Sequence, residues 1–230
     1  MDFIGGEIIY INKPLEWTSF DVVNRIRRVL CRKLKQKKLK VGHAGTLDPL
    51  ATGVMILCTG KSTKKIEELQ AGVKEYIATL QLGATTPSYD LEHQIDATYP
   101  TEHITLSLIE KTLEQFKGEI WQKPPIYSAV KIEGKRAFDY ARRGEEVEIK
   151  SKLLVIDEIE ILKFENMQLT IRVVCSKGTY IRALARDIGE ALNSGAHLIA
   201  LQRTRVGDIT LSQCFEIEEF ISKIENEEFS

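Results

Sequence analysis

Apolar residues in this chain recur every second position in some segments and every third or fourth in others, without a regular strand–helix–strand rhythm. That pattern argues for an α+β fold with a mixed, largely antiparallel central sheet flanked by helices and loops. Strand patterns occupy residues 7–12, 76–82, 153–162, 169–175 and 197–206. Helical patterns occupy 22–30, 107–116, 137–143 and 180–192, and a short acidic helix ends the chain. Thr18 and Asp21 have the spacing of a capping box before the first helix. Asn166 lies between two strand patterns and predicts a hairpin there. Residues 90–102 are polar and without period, which predicts a surface loop, and Pro124-Pro125 predicts extended backbone over 121–130. No repeat, low-complexity run or Pro/Gly/Ser-rich linker divides the 230 residues, so a single catalytic-sized domain over 1–230 is expected.

The net charge of −1 averages over an uneven distribution. Residues 25–40, RIRRVLCRKLKQKKLK, hold nine basic side chains and no acid, whereas 213–230 hold six acids and one lysine. A polyanion is therefore expected at one end of the molecule and not the other. With Lys61, Lys64 and Lys65, residues 25–65 carry twelve basic residues against one acid, Asp48. A basic stripe on an ordered helix suits phosphate contacts, although a solvated helix face produces the same composition.

No apolar run reaches the roughly 18 residues of a membrane span, and the N-terminus lacks the basic-then-apolar pattern of a secretory signal. A cytoplasmic protein without membrane contact is expected. Cys31, Cys58, Cys175 and Cys214 form no C-x-x-C pair, and the four histidines show no ligand spacing, so free thiols and no metal site are expected.

One stretch concentrates chemistry: HAGTLDPLATG, residues 43–53. Asp48 before Pro49 suits a turn, since such carboxylates often bond local amides. Two features suggest more. Glycines at 42, 45 and 53 allow close approach of backbone to a ligand, and His43 could meet a base edge or a phosphate. Gly60-Lys61-Ser62 looks like the end of a phosphate-binding loop, but the glycine needed five residues earlier is Met55. Tyr76 begins a strand pattern, and Arg182 lies where a helix starts to turn apolar, so it needs a partner if buried.

The segments NKPLEWTSFDVV (12–23), GHAGTLDPLATGVMILCTGKSTK (42–64), KEYIATLQLG (74–83), QKPPIYSAVKIEGKRAFDYARRGEEVE (122–148) and CSKGTYIRALARDIGEAL (175–192) resemble the TruB family of tRNA pseudouridine-55 synthases. They occur in the family order across nearly the whole chain.

The resemblance implies an enzyme that isomerises uridine 55 in the T loop of tRNA, with tRNA as partner and without cofactor or metal. It makes Asp48 the catalytic aspartate, Arg182 its paired cation and Tyr76 the aromatic that stacks on the target base. Whether Asp48 attacks the sugar, attacks the base or removes a sugar proton is left open. His43, Tyr180 and Leu201 match positions that contact the T loop or the flipped nucleotide. Arg32, Lys33, Lys35, Lys37, Lys38, Lys61 and Lys64 are then expected on the RNA backbone. The segment 124–131 is expected to shape the cleft, with Lys131 in reach of phosphate. A lone acid suits an isomerase, because hydrolysis of a glycosidic bond usually takes a second carboxylate to activate water.

Two departures stand out. The family's opening motif reads Asp-Lys-Pro with a glycine two residues after the proline, and here it is Asn12-Lys13-Pro14 followed by Leu15-Glu16. Longer members carry a C-terminal PUA domain, and about thirty residues after Leu201 are too few for one. A monomer is expected. The alternatives are a non-catalytic tRNA-binding or folding factor, against which Asp48, Tyr76 and Arg182 together argue, and a glycosidic hydrolase.

Overall fold

The computed structural model describes residues 1–226 except 129, 133, 134, 142, 144 and 146; at 131, 132, 135, 136, 138 and 141 the description extends to the backbone. In chain order the first elements are β1 (Ile8–Lys13), α1 (Ser19–Lys33), β2 (Val41–His43), β3 (Ala51–Thr59), α2 (Ile66–Ala71), β4 (Lys74–Leu82), β5 (Ala84–Thr85) and β6 (Ala97–Thr98). There follow α3 (Leu106–Glu114), β7 (Gly118–Gln122), β8 (Lys131–Ile132), β9 (Lys135–Arg136), α4 (Ala137–Ala141), β10 (Lys152–Glu165) and β11 (Gln168–Cys175). The last are α5 (Ile181–Ala191), β12 (Ala196–Val206), β13 (Ile209–Thr210) and α6 (Ile217–Asn226). The chain divides into two compact units, Met1–Tyr76 with Gln202–Ser230, and Ile77–Leu201. It leaves the first within β4 and returns within β12.

In the first unit β3 lies between β1 and β12, and its near-continuous apolar run, ATGVMILCT, is buried along almost its whole length. β1 pairs with it antiparallel, from Ile8 opposite Cys58 to Lys13 opposite Gly53. The predicted capping box forms: the Thr18 hydroxyl accepts from the Asp21 amide at 3.0 Å, and the Asp21 carboxylate accepts from the Thr18 amide at 2.9 Å. Val22, Val23, Ile26, Val29 and Leu30 of α1 then share one core with Ile9 and Ile11 of β1, Met55 and Leu57 of β3, and Ile217, Phe220, Ile221 and Ile224 of α6. Lys35 in the left-handed region, at φ 52°, ends the helix.

This packing corrects the expected charge layout. The acidic tail is not remote from the basic stripe but forms α6 beside α1. Arg25 pairs with Glu218 at 3.2 Å, Arg32 pairs with Glu225, and Lys33 donates to the Glu225 carbonyl at 2.8 Å.

In the second unit the strand order is β4, β11, β10, β7. The predicted hairpin is β10 and β11, antiparallel, closing at Glu165 opposite Gln168. Its loop is Asn166-Met167, with φ 51° and 58°, the two-residue form whose twist matches that of the strands. β7 pairs with β10 from Gly118 opposite Ile156 to Gln122 opposite Lys152. α3 is capped by Thr105, which accepts from the Leu108 amide at 3.2 Å, and Asn193 at φ 50° follows the end of α5.

The expectations for 90–102 and 121–130 need adjusting. The first segment contains β6, which pairs with β5, and begins with a buried Asp90. Regular strand continues only through Gln122 in the second, and position 129 lies outside the described residues. α4 ends at Ala141, and position 142 of the expected helix likewise lies outside them. Among the described residues no helix is long and apolar enough to cross a membrane.

Candidate active site

Residues 43–53 run from the last residue of β2 through the linking turn into the start of β3. The turn's backbone carbonyls are taken one after another. Gly45 and Thr46 accept from the Arg203 guanidinium at 3.2 and 3.4 Å. Leu47 accepts from the Ser19 hydroxyl at 3.0 Å, and the same hydroxyl accepts from the Leu47 amide at 2.9 Å. The Asp48 carbonyl accepts from the Ala51 amide at 3.1 Å, which closes the Asp-Pro turn. Pro49 accepts from the Glu16 amide at 2.9 Å and the Lys13 ammonium at 3.2 Å.

Lys13 is fully buried and also donates to the carbonyls of Pro14 at 2.8 Å and Trp17 at 2.6 Å. Burial pushes its ammonium down to about 8, opposed by the negative charge of Asp48. Asp48 itself is half-buried on this pinned turn. His43, at the head of the loop, is half-buried too, its Nδ1 has no hydrogen-bond partner, and burial holds its imidazole below the ordinary value. Tyr76 lies on β4, where Lys74, Tyr76, Ala78, Leu80 and Leu82 alternate inward, and is 9% exposed.

In the second unit Tyr180 is the N-cap residue of α5. Its amide donates to the Gln122 side-chain oxygen at 2.9 Å and its carbonyl accepts from the Gln122 amide nitrogen at 3.2 Å. Gln122 is fully buried, so this pair of hydrogen bonds fixes where the helix starts. Arg182, in the first turn, is buried and donates to the carbonyls of Ser88 at 3.2 Å and Tyr127 at 2.9 Å. Its guanidinium also pairs with the Asp90 carboxylate at 3.6 Å.

Asp90 went unmarked in the sequence. It is held in turn by the Ser88 hydroxyl at 2.5 Å and the Glu92 amide at 3.0 Å. The His93 ring nitrogen Nδ1 lies 3.0 Å from the Ser88 oxygen, and the ring packs against Tyr127 with centroids 4.6 Å apart. Tyr89, between Ser88 and Asp90, is left-handed at φ 58° and lies under the Arg186 guanidinium, 5.5 Å from its ring centre. The Ser88-x-Asp90 spacing was the available signal, since short polar side chains two apart often bond each other and the local backbone. Leu201, on β12, is half-buried.

Of the basic residues, Arg32 and Lys33 are engaged by α6. Lys35, Lys37 and Lys38 are exposed on the segment after α1, and Lys61 and Lys64 are exposed on the turn after β3. The two groups adjoin: the Gly60 amide donates to the Lys40 carbonyl at 2.9 Å, and Val41 sits opposite Thr59. Among the described residues no cluster of three or more His, Cys, Asp or Glu could hold a metal ion.

The N-terminal domain model of the TruB family pseudouridylate synthases matches residues 31–181, and the tRNA pseudouridylate synthase B C-terminal domain model matches 182–228. The chain belongs to the TruB family of pseudouridylate synthases.

The chain is 67% identical to a tRNA pseudouridine synthase B of Bacteroides fragilis, covering 99% of this chain and 98% of that one. It is 53% identical to one of Flavobacterium johnsoniae, covering 95% and 96%. Among solved structures it matches a Cbf5-Nop10-Gar1 complex with TM-score 0.71 at 29% identity, over 96% of this chain and 54% of that one. It also matches an H/ACA RNP bound to a substrate RNA containing 2'-deoxyuridine, with TM-score 0.70 at 26% identity, over 98% and 57%. The chain thus spans little more than half the length of these structural neighbours.

Proposed function

We propose that this chain converts uridine 55 in the T loop of tRNA to pseudouridine, acting as a monomeric cytoplasmic enzyme with one catalytic domain over 1–230. The observation that carries this reading is the braced turn of Asp48, the one acid between residues 25 and 65, in a chain 67% identical to a tRNA pseudouridine synthase B.

In the reaction the bond from the sugar C1' to N1 of the base breaks, the ring turns, and C1' joins C5. C5 loses its proton and N1, freed of the sugar, takes one up, so the substrate is isomerised and no co-reactant is consumed. Asp48 acts on the sugar or the base while the ring is detached. Arg182 supplies the cation that aims a carboxylate. Tyr76 stacks on the target base and helps remove the C5 proton. The base leaves its stack at a cost of a few kcal/mol, partly recovered against Tyr76, Tyr180 and Leu201, with His43 on the T loop. Lys35, Lys37, Lys38, Lys61 and Lys64, with Arg32 and Lys33, lie along the RNA backbone and add affinity that falls with salt.

The test uses a tRNA transcript tritiated at uridine C5, with tritium release, free base and binding followed together. Release from position 55, abolished in Asp48→Asn while binding persists, is the expected result. Free uracil would point to a hydrolase, and binding without either product to a non-catalytic tRNA factor.

A further inference from the structure

Arg203 is 2% exposed, yet among the described residues its guanidinium has no carboxylate partner. Taking an unpaired guanidinium out of water costs several kcal/mol, and an apolar side chain of similar volume fills such a place at least as well. Its charge is spent on backbone. Nη2 donates to the Gly45 carbonyl at 3.2 Å, Nη1 to the Thr46 carbonyl at 3.4 Å and Nε to the Val54 carbonyl at 2.8 Å. These three carbonyls flank Asp48, two before it and one after the turn has rejoined β3.

The local backbone is shaped for this approach. Gly53 is left-handed at φ 109°, and a Cβ there would lie 2.1 Å from the Arg203 carbonyl oxygen, so only glycine lets β12 press against the loop's exit. Gly45, at φ 98°, turns its carbonyl toward the guanidinium from the loop's entry. Ser19, Glu16 and Lys13 hold the carbonyls of Leu47 and Pro49. The hold on Thr46 is left to Arg203, which shares the Gly45 carbonyl with the His43 imidazole.

We infer that Arg203 is a positioning residue for Asp48: its planar fork ties the entry and exit of residues 43–53 together and so fixes where the Asp48 carboxylate points. The inference rests on the reading of Asp48 as the catalytic acid. A lysine at this place keeps the charge but not the fork, because an ammonium is a point donor that cannot span three carbonyls in fixed geometry.

The test is the rate of pseudouridine formation on a tRNA transcript by the wild type, Arg203→Lys and Arg203→Met, with cooperative thermal unfolding as a check of the folded state. A small displacement of a reacting group costs on the order of 10²-fold in rate, so Arg203→Lys is expected to lose about that much in kcat with KM little changed. Arg203→Met is expected to lose at least as much. Should it fail to fold, the lysine variant decides alone. Hydrogen exchange over 43–54 in the free protein is expected to quicken in Arg203→Lys more than elsewhere in the chain. A folded lysine variant with wild-type kcat overturns the inference, as does a rate loss that only follows the unfolded fraction. A wild type that forms no pseudouridine fails the functional reading, and this inference with it; an active wild type beside unimpaired variants fails this inference alone.

Discussion

Arg182 and Asp90 face each other at 3.6 Å with side chains only 6% and 9% exposed. A buried pair is weak evidence for stability, but removing one partner strands the other, a loss of about 3–5 kcal/mol. Arg182 retains the carbonyls of Ser88 and Tyr127, so the guanidinium would stay near its place but lose the charge of Asp90. Asp90→Ala is expected to lower the unfolding midpoint in urea and to slow pseudouridine formation. Asp90→Asn, which keeps the shape and can still accept from Ser88, is expected to fall between it and the wild type. Equal stability of the alanine variant and wild type would show that the pair contributes nothing.

Glu16 stands where the family's opening motif has glycine, and its backbone keeps a glycine-like conformation at φ 66°. A left-handed non-glycine residue costs roughly 1–2 kcal/mol, partly offset by the greater freedom of glycine in the unfolded chain. Glu16→Gly is therefore expected to raise unfolding stability by up to about 1 kcal/mol, and Glu16→Val, which is branched at Cβ, to lower it. The amide of residue 16 still donates to Pro49 in either variant, so the glycine variant should retain full activity. Chemical denaturation of the two variants measures both signs.

These two sites show what was legible. The departure at Glu16 was visible as a missing glycine, but the sequence could not say whether the backbone or the residue had changed. The capping box at Thr18 and the hairpin around Asn166 were readable because their signals are local. Asp90 was less so, because the Ser88-x-Asp90 spacing signals local bonding but nothing in a polar, aperiodic segment tells that the carboxylate turns inward. β5 and β6 have two residues each, too few to show a period. The docking of α6 on α1 was hidden because the charge runs lie nearly two hundred positions apart and only the shared core brings them together.

The basic residues divide by environment, and the division is testable. Lys35, Lys37 and Lys38 are exposed, whereas Arg32 pairs with Glu225 and Lys33 bonds the Glu225 carbonyl. Replacing the three exposed lysines by alanine is expected to weaken tRNA binding and flatten its salt dependence, by about one unit of slope for each phosphate no longer neutralised. Arg32→Ala is expected to change the slope less, because a solvent-exposed ion pair already competes for its charge. Binding titrations at several salt concentrations separate the two, and an unchanged slope in the triple variant would place the stripe away from RNA.

His43 gives the acid side of the stability profile a definite sign. Burial is the largest influence on its imidazole and holds it below the ordinary 6.5, with the nearby Arg203 charge acting in the same direction and a Gly45 backbone bond opposing. The unfolded chain therefore takes up this proton at higher pH than the folded one does. Between the folded value and 6.5 the unfolded state binds more protons, so stability rises with pH through that window. The contribution is complete above 6.5 and is lost as pH falls toward and through the folded value. His43→Gln, which cannot take up a proton, is expected to lose that part of the slope. Urea unfolding of both proteins at a neutral and a mildly acidic pH measures it: the wild type should lose more stability on acidification than the variant, and parallel losses would mean that His43 titrates alike in both states.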